Sequence, residues 1–389
     1  MSALKTWQDK KLYLEEQLAI TADHAQKFAL RKQIEECESE ILRLQSSPPK
    51  PKLPPSTPLP PEPPGSSYTL EWYINREEEE ARAIDKLRYN SSSVAICGPR
   101  RFGKSTFLEY LLERVMKDKP QNNRPIRVEM TKFYEANISS LDDVLKELAD
   151  ILVNSVKGKK DWISTCWVAN NPTTNIEKLM EDYIFPRAED ELLFLVIEKT
   201  DMAEDWRAKE AFFGMLRSWL EKPHEPWQKL RLIFTLSISP SELIPDHNQS
   251  PFSNCEIIRL KDLDQDQIQN VAEKYGLVWS ETQFKQITDL VGGHPFLVRL
   301  IMYQAKRFNK KLEDLLDPDH SIFENHLELF DSILNRDKAL QKELELFKNG
   351  VTRAASNSDI CKRLVNLGLL KKVRNKYCLS YPIYEKLID

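Results

Sequence analysis

No two cysteines stand close enough to make a zinc or redox pair, for the six, Cys37, Cys97, Cys166, Cys255, Cys361 and Cys378, are scattered along the chain. Isolated thiols of this kind fit a reducing cytosol. Long hydrophobic runs are missing too: the longest purely apolar one, Leu192 to Ile197, is far too short to span a bilayer. The N-terminus has no basic-then-apolar signal segment. A cytoplasmic protein without a membrane partner is therefore expected. Neither sign of charge is in marked excess, with 56 Lys and Arg against 60 Asp and Glu for a net of -4. That balance gives no global reason to expect nucleic acid, and any basic patch must be local.

Against these absences stands one dense stretch. Gly98-Pro99-Arg100-Arg101-Phe102-Gly103-Lys104-Ser105 satisfies the pattern of a glycine, four residues and then Gly-Lys-Ser. Ser93-Val94-Ala95-Ile96-Cys97 precedes it as a buried strand, and Lys104 to Met116 follows as a helix. That context predicts a P-loop. Gly98 and Gly103 let the backbone curl until successive N–H groups face a β-phosphate, and the helix start adds its positive dipole end. Lys104 then reaches the β- and γ-phosphates, and the Ser105 hydroxyl ligates Mg²⁺.

The 389 residues, 30% charged and 41% hydrophobic, allow two or three domains with a sizeable core. Over residues 1–46, Leu4, Trp7, Leu14 and Leu18, then Leu30, Ile34, Cys37, Ile41 and Leu44, make two narrow apolar stripes with a break near Ile20 to Asp23. They predict an antiparallel helical hairpin, either a packed appendage or an adaptor that pairs with another copy or another protein. Residues 47–67 form a linker with ten prolines between 48 and 64, a semi-rigid spacer or a ligand for a proline-recognising domain.

From 68 to 260 strand and helix alternate: Ile126 to Met130, Leu141 to Val156, Ile176 to Ile184, Leu192 to Ile197 and Leu230 to Leu236. The pattern predicts an α/β domain with a parallel sheet covered on both faces. The carboxyl end of Leu192 to Ile197 is expected beside the P-loop, where an active P-loop ATPase usually carries Asp for the Mg²⁺ shell and then Glu to orient water. This chain has Glu198-Lys199 there. Glu198 can still reach a metal-bound water, but an ammonium cannot act as a carboxylate base. Asp201 substitutes if the strand ends late, and Thr235, with Ser237 beyond it, offers a hydroxyl to the γ-phosphate or the attacking water. Residues 261–320 read as a helical lid with no further strand, built from Leu263 to Tyr275, Glu281 to Leu290, Gly292-Gly293-His294-Pro295 and Phe296 to Ala305. Residues 321–389 predict helices and then a hairpin over Lys371 to Leu379, a winged-helix pattern. Its cations Lys371, Lys372, Arg374 and Lys376 suit phosphate contact or simply a solvated edge.

Together the run Gly98 to Thr106, the apolar strand ending at Glu198, and Gly292-Gly293-His294-Pro295 resemble the bacterial AAA-like ATPases. These are similar to the STAND class of P-loop signalling NTPases and abundant in cyanobacteria. The resemblance covers roughly residues 68 to 389. It implies ATP or ADP with Mg²⁺ as cofactors, held by Gly98, Pro99, Arg100, Arg101, Phe102, Gly103, Lys104, Ser105 and Thr106, with Ser105 and, through water, Glu198 at the metal. It also implies that Gly293, His294 and Pro295 contact the base and report nucleotide state. The hairpin looks like a module found before signalling domains in cyanobacterial proteins. Two departures stand out: Glu198-Lys199 replaces the Asp-Glu pair, and the chain stops without a long repeat sensor.

Three functions follow. The first is a nucleotide-controlled switch with weak or absent hydrolysis, its hairpin recruiting a partner. The second is an active ATPase using Asp201 or a residue from a neighbouring subunit. The third is a regulator touching DNA through the basic wing.

Overall fold

The computed structural model describes residues 70–117, 125–135, 140–156, 167–168, 171–188, 192–317 and 321–388, with isolated positions between 10 and 63. Met1–Leu59 and Pro60–Asp389 are two compact units. In the first, Leu14, Leu18, Leu30, Ile34 and Cys37 are helical, and Leu14 and Cys37 are buried. Lys10, Lys11, Lys32 and Gln33 are helical too; the rest of the expected hairpin, and nearly all of the proline-rich linker, lie outside the described residues. No helix among the described residues is long and apolar enough to cross a membrane.

The second unit is built on five parallel strands: β1 (Ser92–Cys97), β2 (Ile126–Glu129), β3 (Leu193–Glu198), β4 (Leu230–Leu236) and β5 (Glu256–Arg259), in the order β2-β3-β4-β1-β5. Their nearly continuous apolar runs are what a sheet covered on both faces requires. Alternation sorts the side chains. Val94, Ile96, Phe194, Val196 and Ile233 pack under helices α1 (Glu77–Arg88) and α2 (Lys104–Met116). Ala95, Cys97, Leu195, Ile197, Leu232 and Phe234 face the other way, onto α3 (Leu141–Ser155), the helical segment 172–187 with its π turn Met180–Ile184, and α4 (Lys209–Glu221).

Two features depart from the pattern read in the sequence. β4 lies between β1 and β3, so the strand ending in Glu198 is one strand away from the P-loop strand. The fifth strand, Glu256–Arg259, falls where no strand was expected, and it pairs Val94 with Glu256 and Cys97 with Arg259. It is an edge strand of four residues with only Ile257 and Ile258 apolar, too short for periodicity to reveal.

Beyond the sheet come α5 (Gln265–Lys274), α6 (Glu281–Val291), α7 (Pro295–Phe308), α8 (Glu324–Arg336), α9 (Lys338–Glu345) and α10 (Ser358–Leu367). Capping boxes start α5 at Asp264 with Gln267 and α6 at Ser280 with Gln283. A hairpin, β6 (Leu370–Val373) and β7 (Lys376–Leu379), follows α10, and Arg353 bridges to Tyr377 as a third, single-residue strand. One apolar core runs through all of this from Leu263 to Leu387, and it also takes in Phe102 of the loop.

Phe234 is fully buried at mid-sheet, its ring 5.0 Å from that of Phe252. Phe234→Ala should destabilise this unit by about 3–5 kcal/mol, seen as a lower denaturant midpoint with unchanged m.

Candidate functional site

β1 delivers the loop and its neighbours clamp the start of it. Gly98 N donates to Leu236 O at 3.2 Å and Leu260 N to Cys97 O at 2.9 Å, which continues both ladders one step past the strand. The chain then turns through two left-handed residues, Arg101 (φ 65°) and Gly103 (φ 88°). A Cβ on Gly103 would meet nothing within 4 Å, so conformation and not space calls for glycine there. Phe107 N donates to Gly103 O at 2.8 Å and opens α2. The first N–H groups of that helix have no partner within it, which makes the helix start a place for anionic oxygens.

Lys104 lies inside this curl. Its ammonium donates to Gly98 O (2.7 Å), Pro99 O (2.9 Å) and Ser237 Oγ (3.2 Å). Burial pulls its pKa down to about 8, while the charge of Asp201 pulls the other way. Asp201 sits on a short 3₁₀ turn, Thr200–Ala203, after β3. Its Oδ1 accepts from Ser237 N at 2.9 Å, across the end of β4. Lys199 makes that turn possible by adopting a left-handed φ of 55°. Lys199 N donates to Thr235 Oγ1 at 3.0 Å, and its ammonium pairs with Glu129 Oε1 at 2.5 Å on the far strand β2. Thus Asp201 is brought to the Lys104 side and the Lys199 ammonium to the β2 side.

Glu198 takes a third direction. It shares the face of Phe194 and Val196, toward α2, where Arg127 Nη1 lies 3.3 Å from its Oε1 and Arg127 also pairs with Glu109 of α2 at 2.7 Å. Burial raises its pKa; Arg127 opposes this and Glu109 reinforces it. Ser105 and Arg100 are exposed at the loop, and Thr106 is half-buried.

Gly292-Gly293-His294-Pro295 is a packing joint beside the loop. A Cβ on Gly293 would lie 2.1 Å from Leu263 O, and one on Gly292 (φ 58°) 2.6 Å from the Tyr381 ring. His294 is buried, with its ring 4.8 Å from Phe102 and 5.4 Å from both Tyr381 and His326. Its Nδ1 accepts from Phe296 N at 3.2 Å and so caps α7, with Pro295 at the first helical position. Burial holds its pKa near 3, so the ring is neutral. A cavity of about 600 Å³ opens between α1 and α5, lined among others by Ile74, Arg76, Lys261 and Asp262. It begins one residue past Leu260, whose Cβ would touch a Cβ on Gly98 at 3.4 Å.

Several of these partners lay beyond reach of the sequence. Arg127 and Glu129 stand on a short strand with no motif, and Tyr381, which donates to Asp262 Oδ1, is 119 residues from it. Ser237 alone carried a signal, as a polar residue just past an apolar strand.

A left-handed loop between a buried parallel strand and a helix, a lysine turned into it, and acids at the end of the next strand but one together define a P-loop NTPase. The chain belongs to the AAA-like domain family, which it matches over residues 64–389. Among solved structures it is similar to the Walker-type ATPase PABY2304 of Pyrococcus abyssi, at 15% identity and a TM-score of 0.60, over 85% of this chain and 98% of that one. The Orc1 protein of Aeropyrum pernix, solved in complex with DNA, shares 12% identity at a TM-score of 0.43 over 81% and 92% of the two chains. For Cdc6p from Pyrobaculum aerophilum the values are 15% and 0.43 over 81% and 94%. A search of curated proteins gave no match. At these identities the likeness is one of fold.

Gly103 of the loop and Gly293 of the joint should respond differently to a methyl group. Gly103→Ala meets only the left-handed penalty, about 1–2 kcal/mol. Gly293→Ala must push Leu263 aside and should cost more, roughly 1–3 kcal/mol, so its thermal midpoint should fall further. Equal shifts would remove the packing role given to Gly293.

Proposed function

We propose that the chain is a nucleotide-controlled switch of the STAND type, which binds ATP or ADP with Mg²⁺ at residues 98–106 and hydrolyses it slowly or not at all. The observation that carries the reading is the burial of Phe102, a loop residue, in the same apolar core as the lid and the C-terminal helices. A change in the loop is therefore felt by residues 261–388. The fit to a polyphosphate is chemical: Lys104 is a half-buried cation whose hydrogen bonds go to two carbonyls and a hydroxyl, and anionic oxygens would compensate it better. Ser105 would ligate Mg²⁺, and Glu198 would reach it through water. Bound Mg²⁺ would neutralise phosphate charge. Gly293, His294 and Pro295 would lie near the base.

In this reading residues 321–389 act as a winged helix, consistent with the order α8, α9, single bridge, α10, β6, β7. Residues 1–46 recruit a partner protein or a second copy, in the cytoplasm. Four exposed cations on the β6–β7 hairpin suit a solvated edge, so nucleic acid is left out of the reading.

A second reading, a working ATPase, is favoured by one observation: Asp201, through Ser237, is linked to Lys104, so a carboxylate does stand near the γ-phosphate side. Turnover separates the two. Under the switch reading the parent turns over well below one per second and Asp201→Asn changes little. Several turnovers per second, lost about 10²- to 10⁴-fold in Asp201→Asn, would establish the ATPase.

Binding itself is tested at Lys104. Lys104→Ala should weaken ATP binding by a few kcal/mol, on the order of 100-fold or more by calorimetry. The parent's affinity should also fall with rising pH. The pKa of Lys104 is depressed to about 8, so the cation is fully present below that value and is lost above it, at most tenfold in affinity per pH unit. A flat profile from pH 7 to 9.5, together with unchanged affinity in Lys104→Ala, would mean that Lys104 does not meet the phosphates.

A further inference from the structure

We propose that Arg101 latches the C-terminal residues onto the phosphate loop, and that phosphate charge arriving at the loop competes for its guanidinium and releases them. The inference rests on reading the loop as a nucleotide site.

The geometry is that of a clasp. Arg101 is a non-glycine residue at φ 65°, a conformation that costs L-residues about 1–2 kcal/mol, and the turn aims its side chain out of the loop. The guanidinium lies over the Phe296 ring, 4.4 Å from its centroid, and Nη1 is 3.0 Å from His326 Nδ1. A guanidinium only donates, so Nδ1 carries a lone pair and the imidazole proton sits on Nε2. That Nε2–H then donates to Tyr384 Oη at 3.1 Å. His326 is itself stacked between Phe296, at 5.3 Å, and Tyr384, at 5.8 Å. One side chain of the loop thus holds α7, α8 and the 3₁₀ turn Pro382–Leu387 together.

A second contact covers the loop from another side. Gly368, left-handed at φ 86° just after α10, lies so close to Pro99 that an added Cβ would be 2.8 Å from Pro99 Cβ. Asn366 Nδ2 beside it donates to Glu242 Oε2 at 2.6 Å.

What makes Arg101 a releasable catch is its charge. Among the described residues no carboxylate pairs with it; its partners are a neutral imidazole and the face of Phe296. Charge-assisted bonds to phosphate are roughly twice as strong as bonds to a neutral acceptor. A polyphosphate in the loop is therefore the better partner.

Linkage makes the test two-sided, because whatever the nucleotide costs the latch, the latch costs the nucleotide. In the full chain, hydrogen exchange of residues 324–336 and 382–387 should rise about tenfold on adding ATP. Tyr384→Phe keeps the ring and removes the Oη that orients His326. It should exchange faster without nucleotide and bind ATP about 3- to 10-fold tighter. Arg101→Lys, which keeps the charge but loses the planar fork, should also exchange faster without nucleotide. Acid should act in the same direction. His326 accepts from Arg101 only when neutral, and burial with nearby His294 and Arg101 keeps its docked pKa near 2. The other ionisable groups about it are Tyr384 and Tyr381, the latter bonded to Asp262. Release restores the ordinary value of about 6.5, so exchange corrected for intrinsic rates should rise below that pH. The proposal fails if ATP binds and leaves exchange unchanged, or if Tyr384→Phe exchanges faster but binds ATP no tighter. Should the parent bind no ATP, the nucleotide reading falls instead. Inorganic tripolyphosphate then tests the latch alone, faster exchange keeping it and unchanged exchange overturning it.

Discussion

Parallel pairing of β1 with β4, with Cys97 opposite Leu236, is the constraint on which the site depends. Both strands end at the same level, so Gly98 N can take Leu236 O and the next residue of β4, Ser237, arrives within 3.2 Å of the Lys104 ammonium. β3 is registered on β4 with Ile197 opposite Phe234, which puts its end one residue lower. The chain must therefore climb before it can reach the loop. The left-handed Lys199 and the 3₁₀ turn supply that climb, and Asp201 arrives at Ser237 N. A slip of one residue in either register would turn the facing side chains to the other side of the sheet and separate Lys104 from its acid.

A cation with a lowered pKa stands at each end of the sheet, and the two are handled differently. Arg231, at the amino end of β4, is buried and gives its donors to Leu87 O, Gln228 O and Leu230 O, so it joins α1 to the start of β4 and the turn before it. Burial lowers its pKa only to about 10, and it stays charged. Lys104, at the carboxyl end, is lowered to about 8 and has Asp201 nearby. The first is satisfied by fixed backbone oxygens that cannot leave. The second bonds two carbonyls and the Ser237 hydroxyl, partners that the anionic oxygens of a ligand would outmatch.

How far these features could be read from the residues depended on their range. The P-loop and β1, β3 and β4 were legible because glycine spacing and continuous apolar runs are local signals. The edge strand Glu256–Arg259 was not, since two apolar residues in four carry no period. The site was legible in kind and not in detail. Glu198, Lys199 and Asp201 are adjacent in sequence, yet their side chains go to Arg127, Glu129 and Ser237 respectively. Strand alternation sets the direction of Glu198, but it is the left-handed φ of Lys199 that turns the chain toward Asp201, and a lysine gives no hint of such a backbone. Gly292-Gly293-His294-Pro295 was visible as a motif, but its packing reason, the approach of Leu263 and Tyr381, exists only in three dimensions.

That joint also explains why the loop and the C-terminal helices cannot be treated as separate parts. His294 touches Phe102 on one side and Tyr381 and His326 on the other, and all of these rings are buried together. Close-packed interiors are stiff, so a loop residue embedded in one does not move alone. Two of the imidazoles, His294 and His326, are held neutral well below their ordinary range by that burial. Neutral rings accept hydrogen bonds, from Phe296 N and from Arg101, where protonated rings would repel. Apolar burial therefore does more than hold the lid in place: it sets the protonation that lets the loop be gripped, and it ties the grip to the integrity of the whole core.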